Sequence, residues 1–281
     1  MYPIVRASRF YFWPIIAINT VAMAAAVRGE IFDAFVLSMS ISCLASFGFL
    51  INDLWDRAID RVNAADHFED SDPPTLRRGV RAAILFFCMG ITCALPVGFQ
   101  AVGVAVTVGT GLAAYTFWLR PVLYIPTMVV AALAASPLWA PLLLWPTSAT
   151  RAHWSLVAAF ALIIAARETL MDCRDRKGDE IGGRTTVAIR FGPRTAKSFA
   201  VYLSLVATAL LALVLWSRLP SLSTGFAVFG AVLIVFILSL VVQTALKTVS
   251  AGDDDREAIQ SYVLASRFAM LFAPALTLVL W

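Results

Sequence analysis

Residues 31–60 read IFDAFVLSMSISCLASFGFLINDLWDRAID. Between Ile31 and Ile51 only Asp33 is charged. That is the length of about 20 mostly apolar residues that a helix needs to cross a bilayer core. The run then ends in acid, with Asn52, Asp53, Asp56 and Asp60 close together. Aspartates at i, i+3 and i+7 share one helical face. The stretch therefore predicts a membrane helix that delivers a row of carboxylates to the water interface.

The rest of the 281-residue chain has the same character: 60% is hydrophobic and 14% charged. Soluble domains sit near about 45–50% and about 25%. The mean hydropathy is +0.81. The excess runs along the whole length, so one anchor cannot account for it. Arg6 and Arg9 ahead of an apolar run imitate a signal peptide. No small-residue cleavage site followed by soluble sequence comes after them, so this run is read as a first transmembrane helix. Four cysteines (Cys43, Cys88, Cys93, Cys173) and two histidines (His67, His153) show no metal-ligand spacing. They read as small buried groups, with neither a disulfide nor zinc expected.

Nine apolar stretches are long enough to span, at roughly 9–27, 31–51, 80–98, 100–119, 121–145, 153–172, 198–216, 224–243 and 261–280. The fifth holds Pro126, Pro137 and Pro141, which predicts a kink. The expectation is an all-α bundle of nine transmembrane helices, one domain over 1–281. Lysine and arginine placement orients it. With the N-terminus inside, the cytoplasmic side receives 17 of the 22 basic residues and the outer side only Arg28, Arg151 and Arg218. Arg167 and Arg267 fall within spans. The net charge of +4 is thus a topology signal, not a sign of nucleic-acid binding.

A second acidic run closes the sixth span: Asp172-Cys173-Arg174-Asp175-Arg176-Lys177-Gly178-Asp179. Its aspartates repeat the i, i+3, i+7 spacing, and Asp53 and Asp172 are 119 residues apart. Each motif closes an even-numbered span, as in two related four-helix units plus one helix. Stacked like charges repel unless a cation sits among them, and hard oxygen ligands suit magnesium, which bridges to phosphate oxygens. Two acid clusters on one membrane side predict a magnesium-bound diphosphate, rather than a pair of solvated helix ends. Arg57, Arg61, Arg174, Lys177 and Arg184 lie in the same segments and can share the negative charge. If the carbon bearing the diphosphate is allylic, its departure leaves a carbocation, which needs a dry aromatic pocket. Phe12, Trp13, Phe47, Phe49, Tyr115, Trp118, Trp139 and Tyr262 are candidate walls, each also suited to ordinary packing. Asn19, Glu168 and Arg267 are polar groups at depth, costly in lipid and therefore facing inward, whether toward substrate or as a structural ion pair.

Nine spans with Asn52-Asp53-x-x-Asp56-x-x-x-Asp60 after the second resemble the UbiA superfamily of membrane prenyltransferases. Asp172-x-x-Asp175-x-x-x-Asp179, then Gly182-Gly183, Thr185-Thr186 and Phe191-Gly192, is similar to that family's second motif and its tail. Tyr115 to Arg120 resembles its tyrosine-plus-basic stretch after span four. Arg9 and Pro14 stand, separated, where the family has an Arg-Pro pair. The resemblance implies a bundle around a central cavity capped by the acidic segments. It implies a magnesium-dependent enzyme that moves a prenyl group from diphosphate to an aromatic or lipophilic acceptor. Asn52, Asp53, Asp56, Asp60, Asp172, Asp175 and Asp179 would hold the metal, with Asp53, Asp56, Asp172 and Asp175 catalytic. Asn52, Arg57, Tyr115, Arg120, Lys177 and Arg184 would hold the diphosphate, and Trp13, Asn19, Phe49, Trp139, Glu168 and Arg267 would line the cavity. The segment after Asp60 departs from the family, carrying Asp66, Glu69, Asp70 and Asp72, with Thr75 and Arg78 as stand-ins for a Thr-x-x-Arg-Pro element. That leaves two other readings. One is a terpene cyclase that uses the same metal chemistry without an acceptor. The other is a transporter, although transporters place binding groups near mid-membrane and these acids gather at one surface.

Overall fold

The computed structural model describes residues 2–63, 68, 71–218, 220, 223–250 and 256–280. Among them are thirteen α-helices and no strand. The first, α1 (Tyr2–Ser8), ends at Arg9, whose φ of 50° places it in the left-handed region. α2 (Trp13–Ala26), α3 (Ile31–Trp55), α4 (Arg57–Asn63), α5 (Pro73–Ala94) and α6 (Phe99–Ala114) follow. A π-helical turn, Tyr115–Leu119, leads to α7 (Ile125–Ala134) and α8 (Ser136–Leu144). Then come α9 (Arg151–Ile181), α10 (Val187–Phe191), α11 (Pro193–Arg218), α12 (Thr224–Ser250) and α13 (Arg256–Leu280).

Local chemistry sets several of these boundaries. Asp72 caps α5 by accepting from the Thr75 N–H at 3.1 Å, and Pro73 and Pro74 occupy the positions where missing donors do no harm. Gly98, with φ 119°, makes the break between α5 and α6, where the sequence divides its third and fourth spans. The prolines of the fifth span also act as expected. That segment is two helices, α7 and α8, bent by 64°. Pro137 begins the second of them and Pro141 lies inside it.

Seven helices among the described residues are long and apolar enough to cross a membrane, and the bent pair makes an eighth candidate. The ninth expected span is α9. At 31 residues it is the longest helix, but Arg167, Glu168 and Asp172 interrupt its apolar part. Its end also departs from the sequence reading: the helix runs on past Asp172 to Ile181, so the second motif is helical throughout. The helices close a ring. α2 packs on α3, and α3 on α5 and α6. The circuit continues through α7, α9, α11, α12 and α13, which returns to α2. The largest apolar core lies along α9, α11, α12 and α13, and a second joins α2, α3, α6 and α8. α4 crosses from the first half to α9, bringing one acidic motif to the other.

Candidate active site

The first motif is not one unbroken helix. α3 ends at Trp55, Asp56 caps it, and α4 begins at Arg57. The backbone nevertheless keeps its spacing, since the Asp56 N–H donates to the Asn52 carbonyl at 2.9 Å and the Asp60 N–H to that of Asp56 at 2.8 Å. Asp53 and Asp56 are buried and Asp60 half-buried. Asp172, Asp175 and Asp179 share the continuous α9. Where α4 meets the end of that helix, Gly182 makes close approach possible: a Cβ there would lie 2.3 Å from Ile59 Cδ1.

Arginines join the two motifs. Arg184 donates to Asp56 Oδ2, and its other terminal nitrogen lies 3.0 Å from Asp179 Oδ1. Arg120 donates to Asp56 Oδ1 and, at 2.6 Å, to Asn52 Oδ1. Asp56 is thus gripped by two guanidiniums from different parts of the chain. The π-helical turn carries Arg120 over the Tyr115 ring at 5.6 Å. Arg9 completes the set, donating to Asp53 Oδ1 at 3.1 Å and lying 4.4 Å above the Phe49 ring. Its strained backbone is held by the junction of α1 and α2. Ser46 of α3 donates to the Ser8 carbonyl at 2.8 Å and accepts from Trp13 Nε1 at 3.0 Å.

Tyr115, Arg120, Tyr124, Pro126, Thr127, Val130, Glu168, Asp172, Arg184, Thr185 and Thr186 line a cleft beside these bridges. Arg120 and Arg184 each keep a buried Nε without a hydrogen-bond partner, and so does the Tyr124 hydroxyl. These donors are available to an anion. Asp179 Oδ2 is buried and likewise unpartnered, and burial pushes its carboxyl up to about 6 against the pull of Arg184.

Residues 11–271 match the UbiA prenyltransferase family. The chain belongs to that family. A digeranylgeranylglyceryl phosphate synthase of Thermococcus gammatolerans is 28% identical over 185 residues, 66% of this chain and 65% of that protein. The match therefore spans a little under two thirds of that relative's length. The Ignicoccus hospitalis protein of the same name is 28% identical over 219 residues, 74% of this chain and 69% of its own. Among solved structures, an apo UbiA homologue from Aeropyrum pernix has a TM-score of 0.72 at 16% identity, covering 95% of this chain and 98% of that one. A UbiA homologue from Archaeoglobus fulgidus, bound to DMAPP and Mg2+, has a TM-score of 0.66 at 16% identity over 98% of both chains. Such likeness speaks for the fold. The UbiA fold and its apolar helices make this an integral, multi-pass membrane protein.

Within this UbiA-family scaffold the expected residues divide. Asn52, Asp56, Asp179, Arg120 and Arg184 form one linked group, Asp53 pairs with Arg9, and Asp172, Tyr115 and Glu168 line the adjoining cleft. Asp175 turns to Arg174 at 2.6 Å instead, Lys177 is exposed, and Arg57 is half-buried at the start of α4, outside the cleft lining. Among the described residues no three acidic, histidine or cysteine side chains converge on one point. The arginine bridges stand between the aspartates. Trp13 is engaged with Ser46 and Phe86, between α2, α3 and α5, and Trp139 donates to the Ala132 carbonyl across the bend of α7 and α8. Asn19 ties α2 to α13 through the Met270 carbonyl at 3.3 Å. Glu168 pairs with its neighbour Arg167. Asp72 and Thr75 form the cap of α5, while Asp66, His67, Glu69 and Asp70 lie outside the described residues.

Arg9 and Tyr124 are among the residues that the sequence reading left out of the site. Arg9 had one signal, its place ahead of Pro14. Tyr124 had only its position in the turn before Pro126; it has φ 64° and packs its ring on Phe199 at 5.0 Å.

Proposed function

We propose that this chain is an intramembrane prenyltransferase that ionises an allylic prenyl diphosphate with magnesium and passes the prenyl group to a lipophilic acceptor. The observation that carries this is Arg184 held between Asp56 of the first motif and Asp179 of the second. One guanidinium touching both motifs means that a small charged group placed there meets carboxylates from two sides. The donor set fits magnesium, since Asp and Asn supply hard oxygens, and Asp179 Oδ2 is a buried oxygen without a partner. Asn52, Asp53, Asp56 and Asp60 would hold metal from one side, and Asp172, Asp175 and Asp179 from the other. When bound, magnesium neutralises the charge that builds on a leaving diphosphate.

The protein's own groups do the rest. Arg9, Arg120 and Arg184 stand against those carboxylates and would donate to phosphate oxygens, which suit the guanidinium fork. The unpartnered Nε groups of Arg120 and Arg184 add donors. Tyr115 and Tyr124 line the cleft, and half-buried Arg57 at the start of α4 is a further candidate for the diphosphate. The names of the relatives make a glyceryl phosphate one candidate acceptor. The 17-to-3 basic split supports an odd number of spans, nine with α9 as the sixth, and a cytoplasmic N-terminus. In that orientation the diphosphate sits at the inner face while its tail stays in the bilayer.

A product screen with ten-, fifteen- and twenty-carbon prenyl diphosphates, with and without lipophilic acceptors, tests the reading. Prenylated acceptor formed only with magnesium is the expected result. A cyclic hydrocarbon formed without acceptor would establish a cyclase instead.

A further inference from the structure

Away from the span ends, and apart from the acidic motifs, three charges lie inside the spans: Arg167, Glu168 and Arg267. The first two pair with each other. Arg267 has no such partner among the described residues. It sits near the middle of α13, its Nε is buried without a hydrogen-bond partner, and its guanidinium lies 5.7 Å over the ring of Phe12. A bare charge at that depth is costly and marks function more often than packing.

Its surroundings connect it to the site. Phe12 stacks on Phe49 at 5.6 Å, and Phe49 carries Arg9 on its ring at 4.4 Å. Arg9 is the arginine paired with Asp53. The four side chains form a column, guanidinium to ring to ring to guanidinium, from the first aspartate motif toward mid-membrane. One end of the column has its carboxylate, and the other has none. Met270, one turn beyond Arg267, gives its carbonyl to Asn19 of α2. Arg267 and Met270, one turn apart, therefore both lie on the side of α13 that meets the first helices of the chain. Arg267 as a whole is half-buried.

We infer that Arg267 binds the anionic group of the acceptor, a phosphate monoester or a carboxylate, inside the helix ring. This rests on the transferase reading above. An acceptor anchored there lies two stacked rings away from Asp53, so its nucleophilic atom can reach toward the carbon losing diphosphate. The ring face orients the guanidinium, and the unpartnered Nε supplies a donor that the bound anion satisfies.

The test uses two pairs of acceptors with the purified protein: a prenylated glyceryl phosphate with its dephosphorylated diol, and a phenolic acid with its amide. The wild type should favour the charged member of one pair, and that pair identifies the anion. In Arg267→Gln the ratio of kcat/KM for charged over neutral acceptor should fall at least about ten-fold, the scale of one lost charge-assisted hydrogen bond, with the KM for the prenyl diphosphate little changed. Arg267→Lys should keep part of the preference. Without magnesium or donor, the charged acceptor should raise the Tm of the wild type and of Arg267→Lys but not of Arg267→Gln. An unchanged ratio or an equal Tm rise in Arg267→Gln overturns the inference and leaves the transferase reading standing. A wild type that consumes donor but prenylates no acceptor overturns both.

Discussion

At the scale of single residues, Asp56 is the centre of the arginine network, because two guanidiniums from distant parts of the chain end on it. Removing it strands both in a buried place, so Asp56→Ala should cost about 3–5 kcal/mol of stability, read as a fall in Tm in detergent. A Tm equal to the wild type would mean that the bridges carry no weight. Arg184→Lys gives a cleaner functional test, since an ammonium has one nitrogen where the guanidinium spreads two, one toward Asp56 and one toward Asp179. The KM for prenyl diphosphate should rise about ten-fold or more, and an unchanged KM would remove Arg184 from the site. The aspartates were legible in the sequence because a 3.6-residue period makes i, i+3, i+7 a face. Arg9 and Tyr124 were not, because the only local marks are a separated Pro14 after the one and Pro126 after the other. Arg9 meets Asp53 only through the pinned junction at Ser8 and Ser46, and Tyr124 reaches the cleft only through the turn after the π-helical segment. The aspartate pattern also did not show that arginines would occupy the carboxylates, since such pairing depends on which helices become neighbours.

At the scale of elements, two contacts position the motifs. α3 and α5 cross where Gly90 faces Leu44, and a Cβ on Gly90 would lie 2.6 Å from Leu44 Cγ. The Ser40 hydroxyl donates to the Gly90 carbonyl at 2.6 Å in the same crossing. Gly90→Val should therefore push the helices apart and cost about 1–3 kcal/mol, measured by thermal unfolding. At the other contact, Gly182→Val should separate α4 from α9 and weaken activity more than stability. Ile59→Ala in the same chain should restore part of that activity, because it removes the atom that the new side chain meets. Additive losses in the double variant would show that the two residues do not press on each other. Hydropathy located the helices well, and the prolines announced the bend between α7 and α8. It stopped α9 too early, because apolar content ends at Asp172 while the helix continues, its charged last turns resting on α4.

At the scale of the whole molecule, the closed ring of helices and the one-sided basic residues make a definite claim about sidedness. In a chain cleared of Cys43, Cys88, Cys93 and Cys173, Thr147→Cys should react with an impermeant thiol reagent from outside intact cells. Glu180→Cys should react only after permeabilisation. The reverse pattern would turn the protein over and put its diphosphate site on the wrong face. The membrane class and the pairing of two acidic segments could be read from composition and spacing alone. The ring closure of α13 onto α2 could not, and with it went the column that leads from Arg9 to Arg267. The central claim is that two facing aspartate motifs ionise a prenyl diphosphate with magnesium. Its most direct test is magnesium-dependent diphosphate release by purified Asp53→Ala and Asp175→Ala, each checked for an intact fold. Both should lose release by on the order of 100-fold or more. Wild-type release in both folded variants would contradict the account.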